Sequence, residues 1–188
     1  MIKDLVLVNR SFRRFYQDRQ ISKETLIGFI DLARLTPSSR NIQALKFFVA
    51  NDRITNEKIY EHIAWAGYLK DWPGPMEGER PSAYIIIMED TKIGTGYQRD
   101  QGIAAQTILL GAAELEIGGC MIASVKRKEL TNALSLPVHL NIELVIALGY
   151  PKEQVVIEDI NENGDIKYWR DEDEVHHVPK RGLNELII

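Results

Sequence analysis

With 188 residues, 45% of them hydrophobic and 27% charged, the chain has the composition of a folded globular protein, and one domain spanning residues 1–188 is expected. A formal net charge of -4 argues against bulk binding of nucleic acid or of an anionic membrane, because those partners require an excess of positive charge. The single cysteine, Cys120, excludes internal disulfides and multi-cysteine metal sites, and the lack of a long apolar run or secretory signal leads us to expect a cytoplasmic protein.

The first half of the chain is predicted to contain helices separated by one strand. An apolar stretch, Ile2 to Val8, breaks at polar residues, and Ser22 is suited to cap an amphipathic helix that ends near Leu35. A polar loop at 36–43 then leads into a strand at 46–50. A helix is predicted at about 55–66, followed by an irregular connection as far as residue 81.

The second half is predicted to hold the centre of a sheet. Residues 83–88 and 141–148 are apolar runs of strand length, and the segment 97–116 has the pattern of a buried helix. A glycine turn with a short strand, a helix at 126–134 and a strand-like piece from residue 155 complete the pattern. About four strands and five helices without strict alternation indicate an α+β fold with a mixed, largely antiparallel sheet packed with helices.

A basic motif follows the first apolar stretch. Arg10 and Arg13, three residues apart with Ser11 between them, could converge on one anion, because guanidinium groups match phosphate oxygens bidentately. A solvated basic patch paired with acidic side chains is the alternative reading of the same motif.

The loop after the second helix carries side chains that both donate and accept hydrogen bonds, namely Ser39, Asn41 and Gln43. Such groups suit the edge of a heterocycle, although a turn loop would use the same residues. Further on, Tyr68, Trp72 and Met76 could form a lid over an apolar pocket, or could simply anchor their loop.

The segment that begins at Gly118 offers a close approach of backbone to a flat ligand, or alternatively a helix cap and core strand. No histidine or aspartate at a suitable spacing identifies Cys120 as a nucleophile, so an inert core thiol is expected. His176 and His177 are adjacent and point in different directions in an extended chain, so no metal site is expected.

Taken in order, five motifs resemble the nitroreductase family of flavoproteins over nearly the whole chain. They are Arg10-Ser-x-Arg-x-Phe15, Pro37-Ser-Ser-x-Asn-x-Gln43, Ile117-Gly-Gly-Cys-Met-Ile, Ala147-Leu-Gly-Tyr-Pro151 and Pro179-Lys-Arg181. The resemblance implies a nitroreductase-like three-layer sandwich and a homodimer with FMN at the subunit interface.

The resemblance also implies roles for particular residues. The FMN phosphate would be held by basic and hydroxyl groups from both ends of the chain: Arg10, Ser11, Arg13, Lys180 and Arg181. The ring would receive Pro37, Ser38, Ser39 and Asn41 from the other subunit, and Gln43 would face the flavin or its ribityl chain. Met121, Ile122, Ala123 and Ser124 would lie along the isoalloxazine, and the stretch 66–81 would cover it.

Three functional hypotheses remain open from the sequence. The first is an FMN-dependent oxidoreductase that passes a hydride from NADH or NADPH to a nitroaromatic, a quinone or a similar small acceptor in two ping-pong steps, with no catalytic side chain because the flavin carries the electrons. The second is an FMN-binding carrier or sensor with little turnover. The third discards the flavin and assigns the basic ends to another phosphorylated ligand or to a protein partner.

Overall fold

The computed structural model describes residues 1–188, and its elements alternate irregularly along the chain. The helices are α1 (Ile2–Val8), α2 (Lys23–Arg34), α3 (Arg53–Tyr60), α4 (Gln98–Glu114) and α5 (Arg127–Ala133). The strands are β1 (Phe15–Tyr16), β2 (Leu45–Ala50), β3 (Ala83–Asp90), β4 (Gly118–Ile122), β5 (Leu140–Pro151), β6 (Val155–Asp159), β7 (Trp169–Arg170) and β8 (His176–Lys180). Short 3-10 turns cover Ser39–Asn41 and Leu183–Glu185.

The main sheet has five strands, all paired antiparallel. Its order is β1-β5-β3-β2, and β4 also pairs with β5. All eight residues of β3 are buried, as its uninterrupted apolar run predicts for a central strand. The parallel pairing of β6 with β8 lies in a separate three-stranded sheet, so the predicted α+β fold with a largely antiparallel sheet is confirmed.

Helices cover both faces of the main sheet and make three layers. On one face α2 and α4 pack through a core that includes Phe29, Ile108 and Ile146. On the other face α3 and α5 pack through a second core that includes Ile59, Leu130 and Val145. None of the helices is both long and apolar enough to span a membrane.

Several local predictions are confirmed by the described contacts. The Ser22 hydroxyl accepts a hydrogen bond from Thr25 N at 3.1 Å and caps α2. Cys120 is buried in the second core, and burial raises the pKa of its thiol above the ordinary value, as an inert core residue requires.

Two predicted boundaries are wrong. Helix α3 ends at Tyr60 and not near residue 66, because the chain after it pairs with the segment beyond β4 through Ala64 N to Ser124 O and Lys126 N to His62 O. Gly118 and Gly119 do not form the turn after α4, since both lie within β4 and the left-handed residue at that turn is Glu116, with φ 59°.

Most of the C-terminal sheet was not predicted from the sequence. Only the strand near residue 155 was predicted, whereas β6, β8 and β7 form a three-stranded sheet in that spatial order. Strand β7 has two residues, and β8 carries Pro179 and two histidines, so neither has the alternating apolar pattern by which a strand is detected.

Candidate functional site

A basic cavity of about 380 Å³ lies between α4, β4, β8 and the segment after α1. Its positive charges come from Arg10, Arg13 and Lys180, so groups from both ends of the chain meet there. The remaining lining residues carry no carboxylate and are Asn9, Ser11, Gln106, Leu109, Met121, Tyr168, His176 and Val178. We call it the Arg10 cavity, and its charge suits an anion.

Arg10 lines this cavity and makes few hydrogen bonds with the rest of the chain. Its Nη2 donates to the carbonyl oxygen of Val6, whereas its Nε is buried and has no partner. Burial lowers the pKa of Arg10 from its ordinary value, because desolvation disfavours the charged form. A buried cationic donor of this kind is satisfied by an anionic acceptor.

Arg13 is held firmly by its surroundings. It is 8% exposed, and its Nη1 lies 3.1 Å from the carbonyl oxygen of Ser11 and 3.1 Å from Nε2 of His176. The guanidinium also lies 4.6 Å from the ring centre of Tyr168, as in a cation–π contact. These contacts orient Arg13 towards the cavity.

His176 is fully buried and neutral. Since Arg13 donates to its Nε2, the proton must reside on Nδ1. Burial, reinforced by the charges of Arg13 and Arg170, lowers the pKa of His176 to about 4. The ring is therefore an acceptor for Arg13 at neutral pH.

The segment that carries the two arginines is fixed against the main sheet. Phe12 N donates to the carbonyl oxygen of Gly119 at 3.0 Å, and Ser11 forms a parallel bridge with the same glycine. A Cβ at Gly118 would lie 2.5 Å from Phe12, so the backbone approaches this closely only because the residue is glycine. The glycine pair thus positions the basic segment.

The two predicted C-terminal residues, Lys180 and Arg181, lie in different surroundings. Lys180 ends β8 and lines the Arg10 cavity. Arg181 is exposed, lies outside the cavity lining and pairs with Glu185 at 3.1 Å. The structure therefore brings Lys180 to Arg10 and Arg13, but not Arg181.

The residues after the glycine pair also occupy different environments. Met121 is 36% exposed and lines the cavity, whereas Ile122 is buried in the core on the α3 side. Ala123 and Ser124 are exposed beyond the end of β4 and do not line the cavity. Only the first of these four residues thus faces the cavity within one chain.

The loop at 37–43 has an unusual backbone. Arg40, Asn41 and Gln43 have φ values of 55°, 55° and 57°, in the left-handed region that side chains disfavour. Backbone strain of this kind persists where the surroundings impose it and clusters at functional sites. The start of the loop is held by Asp100 on α4, whose carboxylate accepts from Ser39 N at 3.0 Å and from Ser39 Oγ at 2.8 Å.

Within one chain this loop does not reach the Arg10 cavity. Pro37, Ser38 and Gln43 instead line a separate cavity of about 180 Å³ with Asp100 and Ala104. The Ser38 hydroxyl is buried there without a partner, and Asn41 is exposed. The two predicted halves of the site thus lie apart along α4.

The segment 66–81 is anchored by its aromatic residues against the C-terminal sheet. The ring centres of Tyr68 and Tyr168 are 5.0 Å apart, and the guanidinium of Arg170 lies 4.4 Å from the ring centre of Trp72. Met76 is 70% exposed and makes no such contact. Tyr68 and Trp72 therefore connect the segment to strand β7 and to the residue that precedes it.

Several site residues were not predicted from the sequence. His176 belongs to the C-terminal sheet and Tyr168 directly precedes its strand β7, while Gln106, Leu109 and Asp100 lie on α4. The apolar pattern of α4 predicts which of its residues are buried, but not which other residues they contact. Asp100 had one usable signal, since a carboxylate in the first turn of a largely apolar helix is suited to bind backbone N–H groups nearby.

Comparison with known proteins gives a consistent assignment. The model of the Nitroreductase family matches residues 8–150. An Archaeoglobus fulgidus protein named "Putative NADH dehydrogenase/NAD(P)H nitroreductase" is 30% identical over 158 residues, which cover 80% of this chain and 85% of that protein.

Two solved structures extend the comparison. One, named "a putative nitroreductase in complex with fmn" from Desulfovibrio desulfuricans, has a TM-score of 0.72 at 23% identity, and the match covers 100% of this chain and 95% of that chain. Another, an FMN-dependent nitroreductase of Clostridium difficile, has a TM-score of 0.63 at 25% identity and covers 80% of this chain and 87% of its own. Because the family model spans more than half of the residues, the chain belongs to the nitroreductase family.

Proposed function

We propose that this chain binds FMN and passes a hydride from NADH or NADPH to a small conjugated acceptor such as a nitroaromatic or a quinone. Family membership, and the FMN-dependent and NAD(P)H-linked names of its relatives, support the proposal. The observation that carries it is the Arg10 cavity, which has three cationic side chains and no carboxylate.

The cavity fits the phosphate of FMN chemically. A phosphomonoester is nearly dianionic at neutral pH and offers three acceptor oxygens, and Arg10 Nε is a buried donor without a partner. Arg10 and Lys180 would bind the phosphate directly. Arg13, fixed by His176 and Tyr168, would add a donor whose orientation is set before the ligand arrives.

A homodimer is part of the proposal, because the loop at 37–43 does not line the Arg10 cavity of its own chain. A second protomer could bring Pro37, Ser38, Ser39, Asn41 and Gln43 to the ring. Exposed apolar side chains on α1 and at the C-terminus are suited to an interface, among them Leu7, Leu186 and Ile187. Arg181, which lies outside the cavity of its own chain, would contact FMN in such a dimer or would not contact it at all.

FMN, when bound, supplies the chemistry of hydride acceptance and donation, so the chain needs no catalytic acid or base. The protein's part is to bind the phosphate, orient the ring and shield it from water. Met121 would present its side chain and backbone to the ring, followed by residues 122–124. Backbone N–H groups aimed at the ring edge would stabilise negative charge on the reduced cofactor.

An anaerobic stopped-flow experiment tests the proposal. The purified protein should be yellow, NADH or NADPH should bleach its flavin absorbance, and mixing with a nitroaromatic or a quinone should restore it. Bound FMN that neither nicotinamide reduces would instead support the carrier or sensor. A colourless protein whose melting temperature does not rise on addition of FMN would contradict flavin binding, since a ligand that binds the folded state must stabilise it.

A further inference from the structure

Tyr168 lies between the Arg10 cavity and the segment 66–73. Its ring centre is 4.6 Å from the guanidinium of Arg13 and 5.2 Å from the ring centre of His176, and both of these residues line the cavity. The same ring is 5.0 Å from that of Tyr68, which is 48% exposed and does not line the cavity. Tyr168 therefore connects a residue outside the cavity with an arginine inside it.

A second connection joins the same two places through Arg170. Since side chains two residues apart in an extended chain point to the same face, Arg170 follows Tyr168 on one side of β7. Its guanidinium lies 4.4 Å from the ring centre of Trp72 and donates to Glu153 at 2.9 Å. The buried Glu153 carboxylate accepts in turn from the backbone N–H of Arg13. Both the side chain and the backbone of Arg13 are thus linked to the segment.

The segment 66–73 has few other contacts that hold it in place. It consists of turns and irregular backbone, with two hydrogen bonds inside it. One hydrogen bond joins it to the rest of the chain, from Tyr68 N to the hydroxyl of Tyr168 at 3.4 Å. Trp72 also contacts the neighbouring Trp65, with ring centres 6.5 Å apart. A segment held by so few contacts opens locally while the core stays folded.

An anion in the cavity and a closed segment favour the same arrangement of Tyr168. A phosphate dianion would bind the guanidinium of Arg13 through charge-assisted hydrogen bonds and restrict its motion. A guanidinium that stays over the ring holds Tyr168 where it packs against Tyr68. Opening of the segment removes that packing and frees the ring. Two sites that each favour one state of a shared element are coupled.

We propose that Tyr168 is a positioning residue that couples phosphate binding in the Arg10 cavity to closure of the segment 66–73. Bound phosphate slows the opening of the segment. The closed segment raises the affinity for phosphate by the same factor, because the coupling of two equilibria is reciprocal. The inference rests on the phosphate assignment of the proposed function, but not on hydride transfer.

Hydrogen exchange of the flavin-free full chain, measured by mass spectrometry, tests the coupling with FMN, riboflavin and inorganic phosphate as ligands. FMN and inorganic phosphate should each slow exchange at 66–73 about fivefold. Riboflavin has the ring but no phosphate, and should leave this exchange nearly unchanged. Equal protection by riboflavin would mean that contact with the ring holds the segment, and would overturn the proposal.

Two variants of Tyr168 examine its part in the coupling. Tyr168→Leu should abolish the protection of 66–73 by inorganic phosphate, while exchange in β3 reports that the core is intact. Tyr168→Phe keeps the ring and should retain most of the protection, because the hydrogen bond that it loses is long and therefore weak. A residue with a merely structural role would not transmit phosphate binding to the segment, so full protection in Tyr168→Leu would contradict the proposal.

Tyr68→Ala tests the reverse direction, since Tyr68 lies outside the cavity. It should raise the dissociation constants for FMN and inorganic phosphate about fivefold and leave that for riboflavin unchanged. Ile54→Ala, at a residue on α3 that is 70% exposed and lies outside the cavity, is the control and should change none of the three. Unchanged phosphate affinity in Tyr68→Ala would overturn the proposal.

The outcomes separate this inference from the proposed function. Phosphate-dependent protection in a chain whose flavin neither nicotinamide reduces would support the coupling and contradict hydride transfer. Binding of FMN and inorganic phosphate without protection of 66–73 would contradict the coupling alone. If neither compound binds, the phosphate assignment and the coupling are both wrong.

Discussion

Arg10 and Arg13 differ in how much of their hydrogen-bonding capacity the chain itself uses. Arg13 contacts Ser11, Tyr168 and His176, whereas Arg10 has one backbone acceptor and an unpaired buried Nε. A substitution of Arg13 therefore removes structural contacts as well as a ligand donor. A substitution of Arg10 removes mainly the ligand donor, and the two side chains call for separate variants.

We expect the double variant Arg10→Ala with Arg13→Ala to be purified without FMN. The single variant Arg10→Ala should raise the FMN dissociation constant about 10- to 100-fold, as expected for loss of a charged hydrogen-bond donor. Flavin titration monitored by fluorescence measures both. Arg53→Ala is the matched control, because Arg53 is exposed, pairs with Glu57 and Glu77, and lines neither the Arg10 cavity nor the cavity beside the loop at 37–43. Full occupancy in the double variant would show that the phosphate is bound elsewhere.

Protonation of His176 makes the free energy of unfolding depend on pH. Its pKa is about 4 in the folded chain against 6.5 ordinarily, so the unfolded chain binds more protons between these values. The contribution is fully present above about pH 6.5 and should be lost as the pH falls towards 4. Urea unfolding at several pH values measures this, and His176→Gln should flatten that part of the profile.

The neighbouring His177 is expected to change stability with pH in the opposite direction. Hydrogen bonds to Asp171 and Glu158 raise the pKa of His177 above 6.5, so its contribution is present below pH 6.5 and is lost as the pH rises through the folded value. His177→Gln should therefore change the profile above pH 6.5 and leave the acidic slope. Equal profiles for the two variants would contradict both assignments.

The residues whose meeting in one cavity could be predicted from the sequence are those whose chemistry is visible in a short motif. Arg10, Ser11 and Lys180 carry charge or a hydroxyl at recognisable positions, and the structure brings them to one cavity. His176 and Asp100 act through partners far away in sequence, 163 and 61 residues respectively. No local pattern records such a pairing, so the partners of these two residues could not be predicted.

At the scale of elements, the position of β4 depends on glycine residues, which have no side chain. A Cβ at Gly119 would lie 2.5 Å from Leu109 and 2.7 Å from the carbonyl oxygen of Ala147. The second contact is to backbone, which cannot move aside without disturbing the pairing of β4 with β5. Gly119 therefore allows α4, β5 and the basic segment to meet around one strand.

We expect Gly119→Ala to lower the free energy of unfolding by about 2 to 3 kcal/mol, because overpacking a core forces neighbours to shift. Gly102→Ala is the control, since Gly102 lies in α4 with no atom near its missing Cβ. That variant should raise the free energy of unfolding by up to about 1 kcal/mol through helix propensity. Chemical denaturation measures both, and a neutral Gly119→Ala would contradict the close approach.

Elements with strong periodicity were predictable, and those defined by distant pairing were not. The helix α4 and strand β3 follow directly from their apolar patterns. The end of α3 is set by pairing with the segment after β4, and β8 exists because it pairs in parallel with β6. In these cases tertiary contacts override local propensity.

At the scale of the whole molecule, the C-terminal sheet is tied to the N-terminal segment through charge. Arg14 pairs with Glu79 at 2.8 Å and with Glu174 at 2.9 Å. Arg170 pairs with Glu153 at 2.9 Å, where the glutamate side chain is fully buried. The same carboxylate accepts hydrogen bonds from the backbone N–H groups of Arg13 and Arg14. Residues 1–188 are therefore expected to unfold as one cooperative unit.

Glu153→Ala tests that expectation, because it removes the buried acceptor of Arg170 and of two partly buried N–H groups. Breaking a buried ion pair from one side costs about 3–5 kcal/mol of unfolding free energy. If the chain is one unit, hydrogen exchange should accelerate at 9–16, at 168–180 and in the main sheet together, and FMN should bind less tightly. Glu162→Ala, at an exposed turn residue, is the control. Faster exchange confined to 154–188 would instead mean that the C-terminal sheet unfolds separately and that the Arg10 cavity can open without loss of the core.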